Sequence, residues 1–157
     1  GTVILMFLTK QYTFGANSIG IAALRTGVAK VELTFLQAIA LGILCNALVC
    51  LAVWLTYSAR STIDKIAAIV FPITAFVAAG FEHSVANMYF IPYALFIKYF
   101  DPTYVAAVGD RVANLDKLTW STFLWNNLLP VTIGNIIGGA VLVAAIYWAI
   151  FLKPASD

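Results

Sequence analysis

The chain has 157 residues, 62% of them hydrophobic and 10% charged. Soluble domains run near 45–50% apolar and ~25% charged, so this composition excludes an ordinary soluble globule and a disordered chain, argues against a soluble enzyme, and points to an integral membrane protein. Nine basic and seven acidic residues leave a formal charge of +2 with no Lys/Arg cluster, which speaks against a nucleic-acid partner.

Residues 1–9 are apolar or weakly polar and end at Lys10. Nine residues cannot cross a bilayer, which needs about 20, and neither a basic leader nor a cleavage site accompanies them. They read as the end of a transmembrane helix that begins upstream, the chain being the later part of a longer protein. Residues 10–32 read as a connection. Residues 33–57 are free of charge and, at about 1.5 Å per residue, long enough to span with some tilt. Trp54 and Tyr57 suit the interfacial aromatic belt, Ala38 and Gly42 share a face that a neighbouring helix can approach, and Asn46 is a mid-span amide that needs a partner. Cys45 and Cys50 lie inside this apolar run and read as packing residues rather than a disulfide or a metal site. A loop follows over 58–65.

Residues 66–97 would be about 48 Å long as one helix, against a hydrocarbon core of ~30 Å. Their centre is polar, with Glu82, His83, Ser84 and Asn87 following Gly80, and Pro72 and Pro92 flanking the group. Length and chemistry agree on two half-helices, 66–79 and 88–97, meeting at an irregular stretch at mid-membrane. Such backbone survives only where protein or a cavity satisfies it, and broken helices mark substrate sites in transporters. The alternative is a loop outside the membrane between two short apolar segments. Residues 98–122 read as a second connection and 123–152 as the last span. That span carries Trp125, Tyr147 and Trp148 near its ends, the small pair Gly134 and Gly138, and a buried amide at Asn135. Lys153 and Pro154 stop it, leaving 153–157 as a tail.

Ionisable groups inside a bilayer are costly and mark function by default. His83 is the single histidine, and an imidazole titrates near neutrality. As imidazolium it attracts an anion and can hand it a proton; the neutral acid then crosses an apolar constriction far more cheaply than its anion. Phe76, Phe81 and Phe90 are candidates for that constriction. Glu82 is expected to satisfy free N–H groups at the break rather than line a pore. No G-x-S-x-G, phosphate-cradling loop or metal-ligand spacing is present, so no enzyme, cofactor or metal is expected.

Gly80-Phe-Glu-His-Ser-Val-Ala-Asn-Met88 followed by Phe90-Ile-Pro92 resembles the central histidine signature of the formate/nitrite transporter family. Asn127-Leu-Leu-Pro-Val-Thr-Ile-Gly-Asn-Ile-Ile-Gly-Gly139 is similar to that family's last-helix motif, and Gly42-Ile-Leu-Cys-Asn46 with Cys50-Leu-Ala-Val-Trp54 to its fourth helix. The resemblance covers about 30–153 and looks closest to the family's bacterial formate channels. It implies an all-α, aquaporin-like fold of six helices in two inverted repeats, a homopentamer with one pore per protomer, and a bacterial inner-membrane location. The chain is then the C-terminal half, with the missing N-terminal repeat as its partner: the end of helix three, helix four (33–57), a cytoplasmic loop (58–65), a broken helix five (66–97), helix six (123–152) and a cytoplasmic tail (153–157). Residues 10–32 and 98–122 would face the periplasm.

The resemblance further implies pore or anion-binding roles for His83, Asn87 and Lys30, constriction roles for Phe76 and Phe90, and polar structural roles for Glu82 at the break and for Asn46 and Asn135 as paired helix amides. It implies transport of formate or a similar small monovalent anion, pH-dependent through the histidine and open to proton coupling. The alternatives are a nitrite or hydrosulfide channel of the same family, or a structural membrane subunit without conduction. In the implied orientation Arg60, Lys65 and Lys153 lie inside and Lys10, Arg25, Lys30, Lys98, Arg111 and Lys117 outside, the reverse of the positive-inside rule. An anion-collecting vestibule favours that distribution.

Overall fold

A computed structural model describes residues 1–152; the expected tail at 153–157, with the helix stop at Lys153 and Pro154, lies outside the described residues. Among these the regular structure is entirely helical: α1 (Thr2–Leu8), α2 (Ser18–Val31), α3 (Phe35–Ser58), α4 (Thr62–Ala78), α5 (Ser84–Phe100), α6 (Pro102–Val108) and a long run α7 (Trp120–Leu152), with short 3₁₀ turns between. Two helices are long and apolar enough to cross a membrane, α3 with 24 residues and a mean hydropathy of 2.4, and α7 with 33 residues and 2.1. They lie over the stretches read from the sequence as spans, 33–57 and 123–152. The described residues divide into two compact units, Gly1–Phe35 with Ser84–Leu129, and Leu36–His83 with residues from 130 onward.

The first unit is built on α2 and α5. Residues 10–32, expected as a bare connection, contain the 14-residue α2. Its buried positions, Gly20, Ile21, Leu24, Gly27, Val28 and Val31, follow the three-four spacing of one helix face. They pack with Ile91, Leu95 and Ile97 of α5 in one apolar cluster. A side chain at Gly27 would press into Ala94 and Leu118, so its absence lets the helices approach. Phe7 of α1 stacks on Tyr12 at 5.7 Å and meets Phe96 edge-on at 5.9 Å.

The second expected connection, 98–122, is likewise ordered. Lys98 donates from Nζ to the carbonyls of Leu115 (2.8 Å) and Leu118 (2.6 Å). Arg25 donates to the Arg111 carbonyl at 2.8 Å, and Lys117 pairs with Glu32 at 2.7 Å. Asp101 caps α6 by accepting from the Tyr104 N–H at 2.9 Å, and its other oxygen accepts from the Tyr12 phenol at 2.6 Å.

The second unit packs α3 against the later part of α7. Ala38, Gly42, Cys45 and Ala52 form the buried stripe of α3. At Gly134 of α7 a Cβ would run into the Ile39 carbonyl, and at Gly138 into that of Ile43, so the small-residue pairs read from the sequence are what bring the two backbones together. Trp54 closes one end by meeting Tyr147 edge-on at 5.8 Å. A capping box starts α4: Ser61 Oγ accepts from the Asp64 N–H (3.1 Å), and Asp64 accepts from that of Ser61 (3.0 Å). The helix therefore begins at Thr62, inside the stretch expected as the 58–65 loop.

The Tyr12–Asp101 bond sets a pH window. The Tyr12 phenol, then the Tyr104 N–H, hold the Asp101 carboxyl below its ordinary value of 3.8. Burial, then the same hydrogen bond, push the phenol above its ordinary 10.0. A depressed carboxylate stabilises the fold above its unfolded pKa and loses that contribution as pH falls through its folded one. A raised phenol stabilises below its unfolded pKa and loses that contribution as pH rises. The thermal-midpoint difference between the wild type and Tyr12→Phe is expected to be level from about pH 4 to about pH 10 and to shrink on both sides. A difference that does not vary with pH would contradict this.

Candidate functional site

The helical run is interrupted where the polar residues lie, and the interruption is shorter than expected. The helix α4 ends at Ala78 and α5 begins at Ser84, so Ser84 to Asn87 are helical rather than irregular. The stop is a Schellman closure: the Gly80 N–H donates to the Val77 carbonyl (3.1 Å) and the Phe81 N–H to that of Phe76 (3.0 Å). Gly80 has φ +69°, the left-handed conformation that this closure needs and that a side chain resists. The non-helical stretch is thus five residues, 79–83, where the polar pattern alone suggested eight, 80–87.

The second unit satisfies the break beyond that turn. The Glu82 N–H donates to the Leu41 carbonyl of α3 at 3.4 Å. Asn135 Nδ2 donates to the Glu82 carbonyl at 3.0 Å and to the Gly42 carbonyl of α3 at 2.9 Å. These contacts use the backbone N–H and carbonyl of Glu82, whose side chain is buried at the break, where it was expected to satisfy free N–H groups. Asn46 donates from Nδ2 to the Asn135 carbonyl at 2.6 Å. The two amides expected to pair are therefore joined side chain to backbone, which leaves the Asn135 side chain for the break.

His83 is the last residue of the break and only partly buried. Its ring stacks on Phe76 at a centroid distance of 6.2 Å and an interplanar angle of 26°. The helix ends between the two residues, and the reversal at Gly80 brings the rings together.

The first unit holds the remaining expected residues. Lys30, in the last turn of α2, places Nζ 5.9 Å from the centre of the Phe90 ring, within cation–π range. Phe90 is 44% exposed and Asn87 is fully buried. Asn87, expected as a pore amide, donates from Nδ2 to Asn127 Oδ1 at 2.7 Å, and Asn127 Nδ2 donates to the Lys30 carbonyl at 2.9 Å. Asn127 was read only as the first residue of a motif, and no local signal sets it apart. Among the described residues, no group of three or more His, Cys, Asp or Glu is placed to hold a metal ion.

The family model described as formate/nitrite transporter matches residues 1–149. The chain is 48% identical over 152 residues to the formate channel FocA of Escherichia coli (strain K12), covering 96% of this chain and 53% of that protein. Among solved structures, a pentameric formate channel with formate bound superposes with a TM-score of 0.84 at 46% identity, covering 96% of this chain and 60% of that one. An FNT family ion channel superposes with a TM-score of 0.69 at 30% identity, covering 94% and 53%. The chain thus spans about half the length of the curated relatives it matches.

The Asn135 contacts predict a cost. Replacing it with leucine withdraws the donor from the Gly42 and Glu82 carbonyls, at about 1–3 kcal/mol for each that stays buried and unsatisfied. Asn135→Leu is expected to lower the thermal midpoint of the complete protein in detergent by several degrees. An unchanged midpoint would show that the break does not depend on this amide.

Proposed function

The chain belongs to the formate/nitrite transporter family, and from that premise we propose that it is the C-terminal half of a formate channel whose pore histidine is His83. The observation that carries this reading is the stack of His83 on Phe76 at the Gly80 turn. It sets a titratable ring beside an apolar one where the helix α4 is broken off by the Gly80 turn. Two of the similar proteins, the FocA channel and the pentameric channel with formate bound, suggest the substrate.

The imidazole is the only side chain of the break that gains a positive charge near neutral pH. As imidazolium it stabilises a small monovalent anion next to Phe76. Passing its proton to a carboxylate yields a neutral acid and a neutral imidazole, so charge is removed from the low-dielectric constriction in one step. Lys30, over Phe90, draws anions toward the pathway, and Phe90 narrows it. Asn87 acts through Asn127 rather than by touching the anion. Asn46 and Asn135 hold the break. The complete protein is a homopentamer of six-helix protomers with two inverted repeats, in the bacterial inner membrane. Residues 10–32 and 98–122 lie on its periplasmic side.

Complete protein in liposomes that carry an internal pH dye tests the histidine. Wild type is expected to acidify the lumen as formate enters, above the leak of protein-free liposomes. His83→Asn, assembled as a pentamer, is expected to lose that coupled flux by about tenfold or more, the worth of a hydrogen bond to a charged group. Equal coupled flux in the variant would remove the pore role from His83. A variant that fails to assemble would return it to packing.

A further inference from the structure

We propose that Asn127 is a positioning residue for anion recognition, its buried amide fixing the α2 backbone that carries Lys30. This rests on the reading above, in which Lys30 draws anions toward the pathway. Asn127 is fully buried and lies in a π-helical turn, Phe123–Leu128. Pro130 follows. It has no N–H to donate, and its ring crowds the carbonyl four residues back, so a widened turn at this place has a local cause. The same helix is π-helical again over Ile137–Ala145 and Trp148–Leu152, so it is the hydrogen bonds of Asn127 rather than the turn that set this residue apart.

What the amide does is specific. Lys30 is the penultimate residue of α2, which ends at Val31. Its carbonyl is one of the last four of the helix, which have no partner within it. Asn127 Nδ2 supplies one, at 2.9 Å, while its Oδ1 accepts from Asn87 Nδ2 at 2.7 Å. One side chain of α7 therefore fixes the last turn of α2 and the first turn of α5. Those turns launch Lys30 and precede Phe90, the cation–π pair. A lysine has four rotatable bonds and little positional order of its own, so the direction in which its backbone points it decides where the ammonium acts. A neutral amide does this without adding a charge that would compete for the anion.

The test is a cycle of four complete proteins in liposomes: wild type, Lys30→Gln, Asn127→Ala and the double variant, each confirmed as a pentamer. Initial rates of radiolabelled formate uptake are measured against formate concentration. Asn127→Ala is expected to raise the half-saturating concentration roughly three- to tenfold, the worth of about one hydrogen bond, with a smaller change in maximal rate. The double variant is expected to be no worse than Lys30→Gln alone. A purely structural role would instead lower the amount of assembled protein and leave the half-saturating concentration alone. An unchanged half-saturating concentration in Asn127→Ala, or effects that multiply in the double variant, would overturn the inference while leaving Lys30 in place. If Lys30→Gln itself leaves that concentration unchanged, the role given to Lys30 falls, and this inference with it. Where Asn127→Ala does not assemble, Asn127→Ser, with a shorter donor and acceptor, gives the same two outcomes.

Discussion

One side-chain nitrogen, Asn135 Nδ2, donates both to the Gly42 carbonyl of α3 and to the Glu82 carbonyl of the break. A helix that stops inside a span leaves polar backbone that hydrocarbon cannot satisfy, at a cost of several kcal/mol per group. Protein must answer it, and an asparagine does so with a neutral amide that adds no charge to that of the buried Glu82. The residue before it, Gly134, makes the answer possible, because any side chain there would run into the Ile39 carbonyl. Gly-Asn is thus one device in two parts: the glycine admits close approach, and the amide uses it.

The same chemistry recurs eight residues earlier on α7. Asn127 joins α2 and α5 within the first unit as Asn135 joins α3 and the break within the second. Buried polar groups are tolerated when every partner is present, and satisfied networks hold an arrangement more uniquely than apolar packing does. That fits the task proposed here. A selective pathway needs a few groups held within fractions of an ångström, and rigid helices tied by amides hold them better than loops.

What the sequence alone disclosed follows from the range of each interaction. The spans α3 and α7 are written in uninterrupted apolar length. The break is written in Gly80 and the polar residues after it. Its extent was overestimated because polarity was taken for irregularity: Glu82, Ser84 and Asn87 are polar, yet the Schellman closure ends α4 within two residues and Ser84 already begins α5. The helix α2 was missed because Arg25, Lys30 and two glycines broke its apolar continuity. Its buried spacing at 20, 24, 27, 28 and 31 carried the signal. The Asn127 bridge, the Lys98 clamp and the Tyr12–Asp101 bond join residues 17 to 97 positions apart, and no local pattern announces them. The Phe76–His83 stack is made by the turn at Gly80, which brings together residues from either side of a helix end.

The measurement that bears most directly on the whole account is radiolabelled anion flux through the complete protein in liposomes, formate against nitrite, from about pH 5 to about pH 8, a range that brackets imidazole titration. The account predicts rapid formate flux whose dependence on gradient and pH changes within that range, with nitrite slower. Nitrite flux with little formate flux would contradict the substrate. No flux of either anion through protein shown to be pentameric would contradict the pathway itself.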